Sequence, residues 1–373
     1  MNNQIKIKFS AVFLIVLFAF SAFAQTPKPT ATPAAVEETG EMIRVNSRLV
    51  VVPVSVTDAA GQPILGLKAQ DFRIAEESTP QEIAQVSDAE KVPLEIALLI
   101  DVSSSLNPLF KFQQETAAKF LQEVMRSDDR ASIFLIGEKP VLAQPRDTAA
   151  KTAATIRNFQ TPRKSATAFY DTVTAATNYL KQNAPQRSRR VILVLSDGED
   201  NFSLAVRAAE VKNYRDIDVN KLTEKELNKI AARTDETHRQ AQTYVAKQLQ
   251  NTDTVFYAIN PAGTSIKYNK ISARAQTAMQ AFSDQTGGTA YLPTFQSVSL
   301  KNNLQNSYNL KFNQETLTKI FRQLANELQA QYLVQYYSEG DFPNDKYVKL
   351  DVGLQQNAGK FRIRARKGYF VKN

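Results

Sequence analysis

The run Pro93-Leu94-Glu95-Ile96-Ala97-Leu98-Leu99-Ile100 passes without a break into Asp101-Val102-Ser103-Ser104-Ser105. An apolar run of this length predicts a buried parallel strand, and the helical periodicity after Pro108 places the polar cluster on a strand-to-helix loop. In open α/β sheets that edge is where ligands bind. Asp101, Ser103 and Ser105 recur at alternate positions, a spacing that lets oxygens of one short loop converge on a hard cation. The same residue types are ordinary helix N-caps, so the stretch alone leaves both readings open.

Outward from this strand, residues 92–330 alternate strands with helices, the pattern of a parallel α/β sheet. Helices are predicted near 109–126, 149–158 and 168–181, the first with Phe112, Ala117, Phe120, Leu121 and Val124 on one face. Strands are predicted at 132–137 and 190–196, with Val141-Leu142-Ala143 folding back as a hairpin at an edge. The strand Arg190-Val191-Ile192-Leu193-Val194-Leu195-Ser196 stops at Asp197-Gly198-Glu199-Asp200. Glu199 and Asp200 either add negative charge there or begin the following helix, where acids are favoured. Residues of about 202–250 exceed what one crossover needs and read as a charged helical insertion, with Leu222, Leu227, Ile230 and Ala231 as inward candidates. A strand at 254–259, a helix near 272–285 stopped by Gly287-Gly288 and a strand at 289–292 follow. Residues 293–312 are polar and weakly patterned, and a last helix is expected from an Asn313 cap through Leu317, Ile320, Phe321, Leu324 and Leu328.

Both flanks are β-patterned. Before residue 92 lie strands at 47–57, 71–76 and 82–86, with Ser78-Thr79-Pro80 as a connection and Pro53 pointing to an edge position or a bulge. After residue 330 come strands at 331–337, 347–352 and 360–366. In the last, Phe361, Ile363 and Ala365 alternate with Arg362, Arg364 and Arg366, which reads as a solvated face or a polyanion site. Three strands are too few to stand alone, so the two sets are expected to combine into one small β-sandwich.

The chain has 373 residues, no cysteine and a net charge of +9. Without thiols there is no disulfide, no thiolate ligand and no lipid-anchored cysteine. Residues 1–24 carry Lys6, Lys8, an apolar stretch and Ala22-Phe23-Ala24, the pattern of a signal peptide, with a retained anchor as the alternative. A Pro/Thr-rich linker spans 25–41. The expected layout is 1–24 leader, 25–41 linker, 42–91 N-terminal strands, 92–330 α/β domain and 331–373 C-terminal strands packing on 42–91. The mature chain is expected in the periplasm, cell envelope or medium, with no transmembrane segment.

Asp101-x-Ser103-x-Ser105 after the first strand, Thr167 at the start of a middle helix, and Ser196-Asp197-Gly198 after the strongest strand together resemble the von Willebrand factor A domain family. Its metal-ion-dependent adhesion site uses these loops in this order. The flanking Gly66-Leu67, Asp71-Phe72, Gln331-Tyr332 and Arg366-Lys367-Gly368-Tyr369 resemble the secreted bacterial VWFA-related Acidobacteria type. The resemblance implies a Rossmann-like α/β fold with Mg2+ or Mn2+ at the top. It implies Ser103 and Ser105 as direct ligands, Thr167 as a ligand in at least one state, and Asp101 and Asp197 as ligands directly or through water. Ala166 precedes Thr167 where the family often has Gly.

The expected function is metal-dependent binding or adhesion to a protein that supplies an acidic side chain. Arg163 and Lys164 could steer such a partner, and the helical insertion could select it. An alternative is a structural or assembly component of the envelope whose metal only stabilises the fold. A metal-dependent hydrolase fits less well. The single histidine, His238, is predicted at the surface of the insertion, and neither a G-x-S-x-G motif nor a catalytic carboxylate pair is present. No nucleic-acid partner is expected.

Overall fold

The computed structural model describes residues 47–88, 91–102, 110–158, 166–215, 223–260, 270–296, 303–356 and 360–372. The leader, the linker, Ser103, Ser105, Arg163, Lys164 and Leu222 lie outside the described residues. From the N-terminal side, the first strands are β1 (Arg48–Asp58), β2 (Phe72–Glu76), β3 (Thr79–Gln81) and β4 (Ile83–Asp88). The sequence places only a connection at Ser78-Thr79-Pro80, yet β3 pairs antiparallel with β2. Glu77 and Ser78 take positive φ values of 45° and 72° to make the tight turn. Neither residue is the Gly or Asn that normally advertises such a turn, so the hairpin was silent in the sequence.

β5 (Leu94–Asp101) is buried at every position. There follow α1 (Phe110–Val124), β6 (Arg130–Ile136), β7 (Val141–Asp147), α2 (Ala149–Arg157), α3 (Phe169–Asn183), β8 (Arg189–Leu195), α4 (Leu204–Tyr214), α5 (Glu224–Asn251), β9 (Thr254–Ile259), α6 (Lys270–Thr286), β10 (Ala290–Tyr291) and α7 (Asn303–Gln329). The strands build a six-stranded sheet in the order β10-β9-β8-β5-β6-β7. It is parallel except for β7, which returns antiparallel along β6. Because strand side chains alternate, Leu94, Ile96, Leu98 and Ile100 face the layer of α1, α2 and α7, and Ala97 and Leu99 face the layer of α3 to α6. Carried one step further, the alternation sends Asp101 and Ser196 to the α3 side. None of the described helices is long and apolar enough to cross a membrane.

Two helices differ from the sequence expectation. α7 begins at Asn303, so the polar stretch before residue 313 is partly helix. Asn313 does not cap it. Its side chain is 1% exposed and clamps Gln296, accepting from the backbone N–H at 2.7 Å and donating to the carbonyl at 2.9 Å. In α5, Ile230 is buried as expected, Leu227 is 49% exposed and Ala231 is exposed. The buried positions are Ile230, His238, Val245, Ala246, Leu249 and Gln250. His238, expected at the surface, is 2% exposed because it takes one turn of this inward stripe.

The chain then returns through β11 (Gln331–Ser338), β12 (Tyr347–Leu354), β13 (Phe361–Ala365) and β14 (Gly368–Phe370). Two four-stranded sheets result, β13-β1-β11-β4 and β14-β12-β2-β3. Val50, Val52, Val54 and Val56 of β1 point into their shared core with Tyr332, Val334, Tyr336, Phe72, Ile74, Val348 and Leu350. β1 is an interior strand, but its ladder with β13 starts at Val54, so at Pro53 it has a partner strand only on the β11 side. That is how a proline without an N–H is accommodated. Glu76 is 3% exposed and accepts from Tyr336 at 2.9 Å, Ser338 at 2.7 Å and Tyr369, which joins the two sheets through one buried carboxylate.

The arginine row corrects a second expectation. Arg362 is exposed, but Arg366 is 5% exposed and bridges to Asp253 at 2.6 Å. Arg364 donates to the Gly288 carbonyl at 3.4 Å and lies 3.9 Å from Glu327. The row therefore fastens the sandwich to the α/β layer. Gly287, with φ +85°, makes this approach possible, since a Cβ there would stand 2.8 Å from the Ala365 backbone.

Candidate metal centre

The parallel register brings Ile100 beside Leu195, so β5 and β8 end together and their loops leave side by side. Asp101, 3% exposed, accepts a hydrogen bond from the Ser196 hydroxyl at 2.6 Å. That hydroxyl in turn accepts from the Gly198 N–H at 2.9 Å, which shapes the turn carrying Asp197. Gly198 has φ +78°, and a Cβ would meet the buried Met279 of α6 at 2.9 Å. Asp197 stays partly accessible, with one carboxylate oxygen held by the Glu199 N–H at 3.0 Å.

Thr167 enters the same edge just before α3 and is 5% exposed. Its N–H donates to the Asn201 side chain at 2.8 Å, and its carbonyl accepts from the N–H groups of Asn201 and Phe202, each at 3.0 Å. Its hydroxyl makes no hydrogen bond to any described residue. The Ala168 N–H donates to Gly137 at 2.7 Å, which ties this loop to the end of β6 as well. Asp101, Thr167 and Asp197 are thus carried to one edge by three different elements. The other two expected site residues, Ser103 and Ser105, lie outside the described residues.

The electrostatics of the edge are one-sided. Burial pushes the Asp197 carboxyl up to about 6, and the negative charges of Asp101 and Glu199 push in the same direction. Two carboxylates and a hydroxyl, with no sulfur or imidazole, form a donor set suited to a hard divalent cation. Among the described residues no three His, Cys, Asp or Glu side chains cluster as a metal group.

Residues beyond the sequence motif build this edge. Asp200, 5% exposed, accepts from the N–H groups of Tyr170 at 2.8 Å and Ser203 at 3.1 Å and from the Ser203 hydroxyl, so it ties the starts of α3 and α4 together. Glu199 accepts from Ser272 of α6 at 2.6 Å. The Tyr170 hydroxyl lies 3.3 Å from His238 Nδ1 and accepts from Gln242 at 3.0 Å, which joins α5 to the loop of Thr167. Burial and the nearby Arg274 push His238 down to about 4, so it is a neutral hydrogen-bonding group at physiological pH. Asn201, Tyr170 and Ser272 carried no sequence signal beyond the polar density after β8.

Residues 96–199 match the von Willebrand factor type A domain family, a span that contains Asp101, Ser103, Ser105, Thr167 and Asp197. No curated protein matches the chain. Similar solved structures include an aerotolerance-related membrane protein from Bacteroides fragilis, 13% identical over 62% of this chain and 98% of that one, with a TM-score of 0.34. The VWA domain of SpRpn10 is 14% identical over 59% of this chain and 97% of that one, with a TM-score of 0.37. Proximal thread matrix protein 1 from the mussel byssus, in a form with a zinc-occupied MIDAS motif, is 12% identical over 66% of this chain and 48% of that one, with a TM-score of 0.39. With the family match falling on the strands and loops of this edge, the central α/β part of the chain is a von Willebrand factor type A domain.

Proposed function

We propose that the chain is a metal-dependent protein-binding module in which Asp101, Ser103, Ser105, Thr167 and Asp197 hold Mg2+ or Mn2+ and a partner supplies an acidic side chain to the site. The observation that carries this reading is the meeting of Asp101 and Asp197 at the sheet edge, where burial and the negative charge of Asp101 oppose the ionisation of Asp197. When bound, a divalent cation neutralises the pair and attracts a further anionic oxygen, since the remaining donors are neutral hydroxyls. The chain's own residues hold that geometry: Ser196 orients Asp101, Asn201 fixes the backbone of Thr167, and Met279 backs the turn at Gly198.

A hydrolase reading loses support because His238 is buried against Tyr170 and is spent on α5 packing. Secretion through the 1–24 leader is part of the proposal, and the mass of the exported chain, beginning at Gln25, tests it. The reading of the site is tested by isothermal titration with Mg2+. Saturable heat is expected for wild type and its loss for Asp101→Ala; the absence of heat in wild type at millimolar metal would sink it. A second reading, in which the sandwich binds and the metal only stabilises the fold, is favoured by the surface where Tyr337, 54% exposed, borders Glu77, Glu82 and Glu339. Pull-down from envelope extract with chelator and with Asp197→Ala separates the two.

A further inference from the structure

We propose that the outward face of α4 is the platform on which the partner docks, and that the docked segment is acidic and places a large apolar side chain beside its metal-binding carboxylate. The inference rests on the metal-dependent reading and names the partner's chemistry. In α4, Val206 and Asn213 are buried against the domain. On the opposite side Leu204 is 75% exposed, Val211 is 58% exposed and Ala208 is exposed. At 3.6 residues per turn these three fall within an arc of about 60°, so they form one apolar stripe rather than scattered residues. The exposed Arg207, Lys212 and Arg215 border it, with Arg207 stacked 4.1 Å over the Phe202 ring. Glu210 is the helix's one acidic residue and lies off the stripe.

The stripe is continuous with the candidate metal edge. The Phe202 N–H donates to the Thr167 carbonyl, the Leu204 N–H to Asp171 at 2.9 Å, and the Asp171 N–H to the Ser203 hydroxyl at 3.1 Å. Leu204 is therefore the stripe residue nearest the site, and Val211 lies about 10 Å farther along the helix. A segment that reaches the site with one carboxylate meets an apolar strip with a basic rim next. The complement is a large apolar residue flanked by further acids.

The test is selection of a random 12-residue displayed peptide library on full-length protein with Mg2+ present, followed by anisotropy on the enriched peptides. Enrichment of Asp or Glu next to Leu, Ile or Phe is expected, with binding lost in chelator. The double variant Leu204→Ser/Val211→Ser should weaken binding at least tenfold while its Mg2+ titration matches wild type. Both substituted residues are solvent-exposed, so folding is preserved. Lys212→Glu/Arg215→Glu should weaken it further as salt is lowered. No enrichment, enriched peptides without the acidic-apolar pair, or binding indifferent to the double variant would overturn the platform and leave the metal reading standing. Loss of Mg2+ heat in wild type would overturn the metal reading itself. Binding to vesicles of phosphatidylglycerol that is Val211-dependent and chelator-insensitive would assign the stripe to a membrane surface instead.

Discussion

Where β5 begins, Glu95 is 1% exposed and meets Arg146 through two hydrogen bonds of 2.8 and 2.5 Å. Nearby, Asp129 accepts from the Leu94 and Arg126 N–H groups at 2.7 and 2.8 Å, and Arg189 donates to the carbonyls of Val92 and Leu328. Where β5 stops, Asp101 is 3% exposed, and the charges acting on its neighbour Asp197 are both negative. One strand thus carries buried carboxylates at both ends, one neutralised by the chain's own guanidinium and the other set beside a second acid. Self-matched charge holds a fold together. Two acids set side by side are what the proposed cation site draws on.

Breaking the matched end should have the largest effect. Arg146→Met leaves Glu95 buried without its partner and should cost about 3 kcal/mol in urea unfolding. At the other end Mg2+ at a hundred times its Kd should raise stability by about 2.7 kcal/mol, with no such gain for Asp101→Ala, read by thermal shift. The next effect is pH dependence in chelator, where two groups oppose each other. Asp197 has a folded pKa of about 6, above the roughly 4 of an unfolded Asp, so its contribution is largest below pH 4 and declines as pH rises to 6. His238 has a folded pKa of about 4, below its unfolded 6.5, so its contribution is full above pH 6.5 and is lost as pH falls to 4. Each is worth at most about 3 kcal/mol, and because the two oppose each other the net change is smaller. Urea midpoints from pH 4 to 7 should show Asp197→Asn steepening the acid-side loss and His238→Phe flattening it. The smallest change is Arg366→Met, about 1 kcal/mol, because its partner Asp253 is 48% exposed and regains water.

The sheet was legible because its parallel strands are near-continuous apolar runs, as burial on both faces demands. The two ends of the candidate site were legible for a related reason: a buried strand that stops at Asp101 or Asp197 has no packing use for a carboxylate. What escaped was whatever polar residues do with one another across long sequence distance. His238 sits in a helix whose composition is charged, and only its place in the stripe with Ile230 and Val245 shows that it turns inward. The start of α7 was hidden because apolar residues of its first turns, such as Leu304, Tyr308 and Phe312, are sparse among polar ones, and Tyr308 at 66% and Phe312 at 38% exposure mark no buried face. Arg364 and Arg366 alternate as a solvated row would, and nothing local announces that Asp253 and Glu327 stand opposite.

The pairing of β4 with β11 sets Asp88 opposite Tyr332, and β11 starts one residue earlier. Seen from the sandwich, the whole six-stranded α/β layer is the loop of a β-hairpin, with stems about 5 Å apart. The connectivity is that of an insertion: the chain leaves the sandwich and re-enters it at neighbouring strands of one sheet. Because Arg364 and Arg366 also fasten β13 to that layer, the two stems share their hold with β13, and both connections converge on β1 and its core valines.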